Sequence, residues 1–435
     1  MTNETALIRS YSGLTRILSP FLPLWVKGRA LKGKENPDRQ QERFGHATLD
    51  RPEGYVLWLH GASVGETTML LPLIKRFLKA YPDAHILITS GTVTSAEVLN
   101  KRLPNRALHQ YVPLDTPGAV KKFLRHWKPN MAIWSESEIW PNLLKYTKAR
   151  KIPMALVNAR MSNKSLEGWS SRKKSARALF GKFDKILAGN EDTANGLTWL
   201  LGQEINFVGN LKDAAPALPF REDEYKDMTA QLGQRPIWCA ASTHEGEEEL
   251  LLKAHMDVLQ SHGNALLILA PRHPERSKKI RNLMENVGIT YAARSEATPL
   301  TDTHTVYLYD TIGEMGLAYQ LSSVTFVGGS LLKDMSGHNP LEPARLDNAV
   351  LTGAYISSFA DTYISMFAFS AAERLFSANQ VGPRVSELLS NSEIRHTLMS
   401  HAKNFAAGRD AILDYVWAEL TPLMEKSGLS TSEES

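Results

Sequence analysis

Short apolar runs recur between residues 56 and 352, each followed by a segment of helix length, and no other feature constrains the fold so tightly. The runs in the first half are Val56–His60, His85–Thr89, Met131–Trp134, Ile152–Asn158, Lys185–Ala188 and Ile205–Val208. Those in the second are Pro236–Ala241, Ala265–Ala270, Thr305–Tyr309, Val324–Val327 and Ala349–Thr352. Apolar strands alternating with helices form βαβ units, whose parallel sheet is covered on both faces. The rhythm breaks at "KDAAPALPFREDEY", residues 212–225, where prolines and charges replace the periodic pattern. The expected fold is therefore α/β, two doubly wound domains with a cleft between them. A chain of 435 residues suits two domains of about 150 to 200 residues each. The expected segments are 1–45, amphipathic and basic; 46–211, the first domain; 212–230, a linker; 231–400, the second domain; and 401–435, a helix and tail. The last stretch, "EKSGLSTSEES", has the composition of a disordered tail.

Composition narrows the class of partner. Hydrophobic residues make up 43% and charged residues 22%, enough for sizeable cores, and a net charge of +4 speaks against nucleic acid as a partner. The lone Cys239 has no partner for a disulfide and no zinc-type spacing accompanies it, which points to a reducing compartment. Near the N-terminus, "ILSPFLPLWV" (residues 17–26) precedes Lys27, Arg29, Lys32 and Lys34. A spanning helix needs roughly 20 apolar residues, and Pro20 and Pro23 interrupt this shorter run. No small-residue cleavage site follows closely, so a secretory signal does not fit. Two readings stay open: an amphipathic segment lying in a membrane interface, or a helix packed on the protein's own surface.

Ligands of doubly wound sheets bind beyond the carboxyl ends of the strands, so candidate chemistry is sought there. After Val56–His60 come Gly61, Ala62, Ser63 and Gly65, small enough for close backbone approach, and a helix expected from about Gly65 to Ala80. Glu66 falls in its first turn, where a carboxylate complements the helix dipole or serves as a base at the strand tip. Glu136 and Glu138 follow another strand, placed to bind sugar hydroxyls, position a base or cap the next helix. In the second half, Ser242 and Thr243 end a strand before an acidic helix start, with glutamates at 245 and 247 to 249. Arg272, His273 and Arg276 end another strand, and arginine's planar fork suits phosphate or carboxylate, the alternative being surface ion pairs. Gly328, Gly329 and Ser330 form a phosphate-admitting turn; Gly337, His338 and Asn339 precede a helix whose Glu342 is placed for ribose hydroxyls. With "DTIGEM", residues Asp310–Met315, these features mark a nucleotide site. It is neither a GxGxxG fingerprint nor a Walker A loop, so dehydrogenase and NTPase readings lose ground. No DxD pair follows a strand, so nothing requires a divalent metal.

The ordered motifs "ERFG", "HGASVGE", "WSESEIWPN", "VNARMSNKS", "GNLK", "ASTHEGEEE", "PRHPER", "DTIGEMG", "FVGGSL" and "GHNPLEPA" carry a resemblance over roughly residues 40–360. In order and spacing the chain resembles the 3-deoxy-D-manno-octulosonic acid (Kdo) transferases of Gram-negative bacteria. The resemblance implies a GT-B glycosyltransferase, two Rossmann-like domains facing across a cleft, that moves Kdo from CMP-Kdo to the 6'-hydroxyl of a lipid A precursor. It implies the cytoplasmic face of the inner membrane as location, an acceptor-holding first domain, a CMP-holding second domain, and no cofactor or metal besides the donor. The family's base is the glutamate of its SVGE motif, here Glu66, acting with inversion at the anomeric C2. On the acceptor side it groups Ser63, Glu136, Glu138 and Arg160. On the donor side it groups Lys212, Ser242, Thr243, Pro271, Arg272, His273, Gly313, Glu314, Met315, Gly329, Ser330, Asn339 and Glu342. The leaving phosphate would be met by Arg272, Lys212 and the amides around Gly329 and Ser330; Glu342 would hold the ribose. The small residues Gly61 to Gly65 would leave room for a sugar. Two positions depart from the family pattern: Ser336 stands where a glycine is common, and Ser358 where an asparagine is usual. The N-terminal apolar segment is also shorter than the family's frequent anchor-like helix, which favours peripheral membrane attachment. Competing expectations are a GT-B transferase or epimerase that uses another nucleotide sugar, such as a UDP-sugar, and a catalytically idle lipid-binding protein on the same fold.

Overall fold

Every apolar run of the first half becomes a parallel strand in the computed structural model, which describes residues 5–296 and 299–429. The strands are β1 (Val56–His60), β2 (His85–Ser90), β3 (Ala107–Tyr111), β4 (Met131–Ser135), β5 (Met154–Ala159), β6 (Lys185–Ala188) and β7 (Asn206–Phe207). They form one sheet in the order β3-β2-β1-β4-β5-β6-β7. Successive residues serve opposite faces: Leu57, Leu59, Ile86 and Ile88 enter one core, and Val56, Trp58, Leu87 and Trp134 the other. Trp58 packs against Phe123 and Trp134 with ring centroids 4.9 and 4.7 Å away. Burying each such side chain stabilises by about 1.5–3 kcal/mol, which explains why both faces of these strands are apolar in sequence. The order reverses between β1 and β4, so a crevice opens beyond the carboxyl ends of these two strands.

The second half repeats the scheme with β8 (Ile237–Thr243), β9 (Leu266–Pro271), β10 (Tyr291–Ala293), β11 (Val306–Leu308), β12 (Val324–Val327), β13 (Ala349–Thr352) and β14 (Glu373–Arg374). The order is β10-β11-β9-β8-β12-β13-β14, again parallel, and it reverses between β8 and β12. Cys239 lies wholly buried in this sheet. Edge strands β3, β10 and β14 have no counterpart among the apolar runs. In β3 the polar residues are paired inside: Gln110 accepts the Trp127 indole N–H at 2.6 Å and Ser90 bonds the His109 ring at 2.9 Å. The outer edge of β3 is closed by side chains from the segment Pro37–Phe44, which includes the start of "ERFG". Arg39 donates to the His109 carbonyl at 2.8 Å, and buried Glu42 accepts from the Tyr111 amide at 2.7 Å.

Two compact units result, one holding residues through Ala215 together with those from Asp410 onward, the other Pro216–Arg409. The helix Ser392–Lys426 ends in the first unit, where Ile412, Val416, Leu420 and Met424, spaced by one turn, join Leu57 and Leu59 in the core. Leu429, in a stretch with the composition of a disordered tail, is buried there too, whereas residues 430–435 lie outside those described.

The N-terminal segment folds as helices Ala6–Leu18 and Leu22–Ala30 joined by a 3₁₀ turn, with Pro20 and Pro23 accommodated in the first turns that follow. Ser12 donates to Asn142 at 2.7 Å, Asn142 donates to Thr15 at 3.0 Å, and Ile8 and Val26 are buried, so one side packs on the first unit. The other side is bare: Ile17 is 70%, Phe21 65%, Leu24 72% and Leu31 91% exposed. Among the described residues no helix is long and apolar enough to cross a membrane.

Candidate active site

At the reversal point of the first sheet, β1 runs into Ser63, the N-cap of the helix Val64–Ala80, and that cap puts Glu66 on the inner turn. One Glu66 oxygen accepts from the Ala62 amide at 2.9 Å and the other from the Ser63 hydroxyl at 2.8 Å. A carboxylate offers about four lone-pair sites, so two bonds orient it and still leave acceptor capacity. The Ser135 hydroxyl, at the end of β4, stands 3.4 Å away while donating to the His60 carbonyl. Gly61 has a steric reason. A side chain there would come within 3.1 Å of Glu66 and Ser135, so the space at Gly61 is filled by the carboxylate's own setting and not reserved for a sugar. At Gly65, by contrast, a Cβ would make only ordinary contacts, with Lys212 at 3.9 Å and the Ser63 hydroxyl at 4.0 Å.

Two more carboxylates rise from the end of β4. Glu136 takes a left-handed backbone conformation (φ 56°) that costs a non-glycine residue about 1–3 kcal/mol, and its side chain pairs with Lys212 at 2.6 Å. Lys212, grouped with the donor residues from sequence, lies in the first unit, where it neutralises Glu136. Glu138 accepts from the Trp140 indole at 2.6 Å. Burial pushes its pKa up, the Trp140 bond partly offsets this, and the charges of Glu66 and Glu136 add to the rise. Glu138 is thus a weaker acid than a free glutamate, and a lysine offsets Glu136. His60 is buried, holds its ring on the Thr89 hydroxyl at 3.0 Å and is pushed down to about 4 by desolvation, so it stays neutral. Arg160 follows β5 at the same end of the sheet.

In the second unit the expected residues gather after β8, β9 and β12. Ser242 also has a left-handed backbone (φ 55°), at a bulge between β8 and β9. The buried Thr243 hydroxyl donates to Glu248 at 3.1 Å, and its carbonyl accepts from the Arg272 amide at 2.9 Å. Pro271 is buried; the Arg272 and His273 side chains are exposed. The amides of Gly329 and Ser330 do not await an external anion. Together with Leu331 and His244 they donate to the fully buried carboxylate of Glu247, at 2.7, 2.9, 2.9 and 3.0 Å. Each oxygen takes two N–H groups. The Ser330 hydroxyl is committed as well, donating to the Val327 carbonyl and accepting from the Gly353 amide.

The remaining donor candidates shape loops. Asp310 accepts from Ser295 and Arg281, both at 2.9 Å or closer, and Glu314 is gripped by Arg294 at 2.8 and 3.1 Å. These anchors hold out Ile312, 86% exposed, and Gly313, whose φ of 91° needs glycine, ahead of the helix begun by Met315. Asn339 accepts from the Leu341 amide at 3.0 Å, and Glu342 is bonded to the Tyr319 hydroxyl. Ser336 and Ser358, the two departures from the family pattern, are partners: the Ser358 hydroxyl donates to that of Ser336 at 2.7 Å, and its amide donates to the Ser336 carbonyl. Residue-by-residue reading left Glu247 undistinguished within the run "EGEEE" and gave no role to His244 and His338. Their common signal is position, in the connections that follow the two strands flanking a reversal point.

Comparison with known proteins adds independent findings. A family profile described as 3-deoxy-D-manno-octulosonic-acid transferase (kdotransferase) matches residues 38–215. A probable mitochondrial 3-deoxy-D-manno-octulosonic acid transferase of Arabidopsis thaliana is 34% identical over 422 residues, covering 94% of each chain. The 3-deoxy-D-manno-octulosonic acid transferase of Haemophilus influenzae is 32% identical over 393 residues, 88% of this chain and 90% of its own. Among solved structures, a glycosyltransferase from Rickettsia africae superposes with a TM-score of 0.56 at 11% identity, covering 86% of this chain and 99% of that one, a likeness of fold.

Proposed function

This chain belongs to the Kdo transferase family, glycosyltransferases of lipopolysaccharide synthesis, and we propose that it transfers Kdo from CMP-Kdo to a lipid A precursor with inversion, Glu66 acting as base. The observation that carries the assignment is the setting of Glu66. Its carboxylate is oriented by Ala62 and Ser63 at the reversal point, beside a Glu138 bonded to the Trp140 indole and a Glu136 matched by Lys212. A sugar hydroxyl is a poor nucleophile at neutral pH; Glu66 takes its proton as the oxygen attacks C2 of Kdo. The C2–O bond to the phosphate breaks with its electron pair, and CMP departs. Arg272 offers the leaving phosphate a charged fork, and no cofactor beyond the donor enters the proposal. Glu136–Lys212 and Arg160 are assigned to the acceptor. The loop pinned through Asp310 and Glu314 is assigned to the nucleotide, as is Glu342.

The test is direct. The protein incubated with CMP-Kdo and a tetraacyl lipid A precursor should raise the precursor's mass by one or more Kdo increments, and an unchanged mass overturns the proposal. Binding of CMP but not UDP separates this reading from a UDP-sugar enzyme.

The bare apolar side of the N-terminal helices, flanked by Lys27, Arg29, Lys32 and Lys34, supports peripheral docking on an anionic membrane surface, assigned here to the inner face of the inner membrane. Full burial of one leucine or isoleucine contributes about 1.5–3 kcal/mol, so the double substitution Ile17→Glu, Leu24→Glu should weaken vesicle binding by more than about tenfold. Flotation with anionic vesicles measures this; equal flotation of the two proteins would remove the segment from the docking surface.

A further inference from the structure

Between the loops that follow β8 and β12, His244 and His338 bring their Nε2 atoms to 2.8 Å, with ring planes inclined by only 8°. At that separation one nitrogen donates and the other accepts, so in the neutral pair one proton lies between the two Nε2 atoms. Gly329 makes the approach possible: a Cβ there would stand 2.8 Å from the His338 ring and 3.4 Å from that of His244. Groups of both signs stand around the pair. His273 meets the His244 ring edge-on, with centroids 5.7 Å apart, and carries Glu275 at 3.3 Å; the exposed Arg272 precedes it. The two nearest inner carboxylates are already committed, Glu247 to four amides and Glu248 to Arg276 and Thr243. From the helix Ala360–Ala368 the Tyr363 hydroxyl donates to the His338 carbonyl and leaves the ring alone.

We propose that the His244–His338 pair is a proton-coupled receptor for the phosphate of the departing nucleotide, taking up one further proton, and with it a positive charge, when that phosphate becomes a monoester dianion. The inference rests on the CMP-Kdo reading above. Without a ligand, burial first and then the neighbouring His244, Arg272 and His273 hold His338 down to about 4; burial likewise lowers His244. An anion against the pair opposes both effects and favours the charged form. The donor's phosphodiester carries one negative charge, whereas the product monoester, with a second pKa near 6, carries almost two at neutral pH. Solvent supplies the proton, and the pair's extra charge appears as the C2–O bond breaks. Stabilisation is then stronger for the product-like transition state than for bound donor.

Calorimetric titration of the full chain with CMP at pH 7.5, in buffers of different ionisation enthalpy, reads proton uptake. About one proton per CMP is expected, and none with cytidine, which lacks the phosphate. His338→Asn and, as a second variant, His244→Asn should abolish the uptake and weaken CMP binding by about tenfold while leaving cytidine binding as it was. CMP binding by the unaltered protein without proton uptake overturns the inference but keeps the donor reading, as does uptake that survives in both variants. Failure of CMP to bind at all overturns the donor reading and the inference with it.

Discussion

Glu66→Gln should lower the transfer rate by about 10²- to 10⁴-fold, the usual contribution of a positioned base, with CMP affinity unchanged. The substitution keeps side-chain length: its carbonyl oxygen can still accept from the Ala62 amide, its NH₂ can donate to the Ser63 hydroxyl, which turns to accept, and no atom remains that can take a proton. The competing role, a carboxylate balancing the helix dipole, is worth about 0.3–1 kcal/mol of stability and nothing in chemistry. Initial rates with saturating donor and acceptor, together with a CMP titration, separate the two. A full rate with a slightly lowered melting temperature would reduce Glu66 to a helix-start charge. The neighbouring carboxylates are otherwise engaged, Glu136 by Lys212 and Glu138 by the Trp140 indole.

Glu247→Gln should be as severe by another route. Each carboxylate oxygen accepts two backbone N–H groups; an amide side chain keeps one acceptor and turns an NH₂ toward two donors it cannot satisfy. A buried unsatisfied donor costs about 1–3 kcal/mol, so a loss of roughly 3 kcal/mol or more is expected in denaturant unfolding. CMP affinity should fall as well, because the amides of Gly329 to Leu331 and of His244 are the scaffold on which the Arg272 and histidine groups are mounted. Glu249→Gln, two residues on and exposed, should change stability by less than about 0.5 kcal/mol. Equal stability of the two variants would mean that the clasp is not formed in solution.

The contrast between Glu247 and Glu249 shows where sequence reasoning stops. In "EGEEE" all the glutamates present the same local signal, an acidic helix start, and only the turn after β12, some eighty residues on, makes one of them an internal anion. The strands were legible wherever both faces are apolar: Val56–His60, Lys185–Ala188, Val324–Val327 and Ala349–Thr352 have the expected bounds. Strand β3 was not, because His109 and Gln110 are polar and their partners, Ser90 and Trp127, come from elsewhere in the chain. The strand-end positions of Glu66, Glu136 and Arg272 were visible, yet the pairing of Lys212 with Glu136 was not, since nothing local ties residues so far apart. Ser336 and Ser358 make the same point: as isolated letters they are two departures, whereas in space they form one hydrogen-bonded substitution.

The apolar stripe Ile412, Val416, Leu420 and Met424 also bears on how the protein is made. The sheet that carries Glu66 is written first, yet one face of it is sealed by a helix translated only after the whole of the other unit. While the ribosome is still reading that unit, Leu57 and Leu59 lie on a layer without its cover, an opening for chaperones and for aggregation. A nonsense or frameshift change shortly after Asp410 would therefore injure the half of the protein encoded farthest upstream and leave the adjacent half comparatively whole.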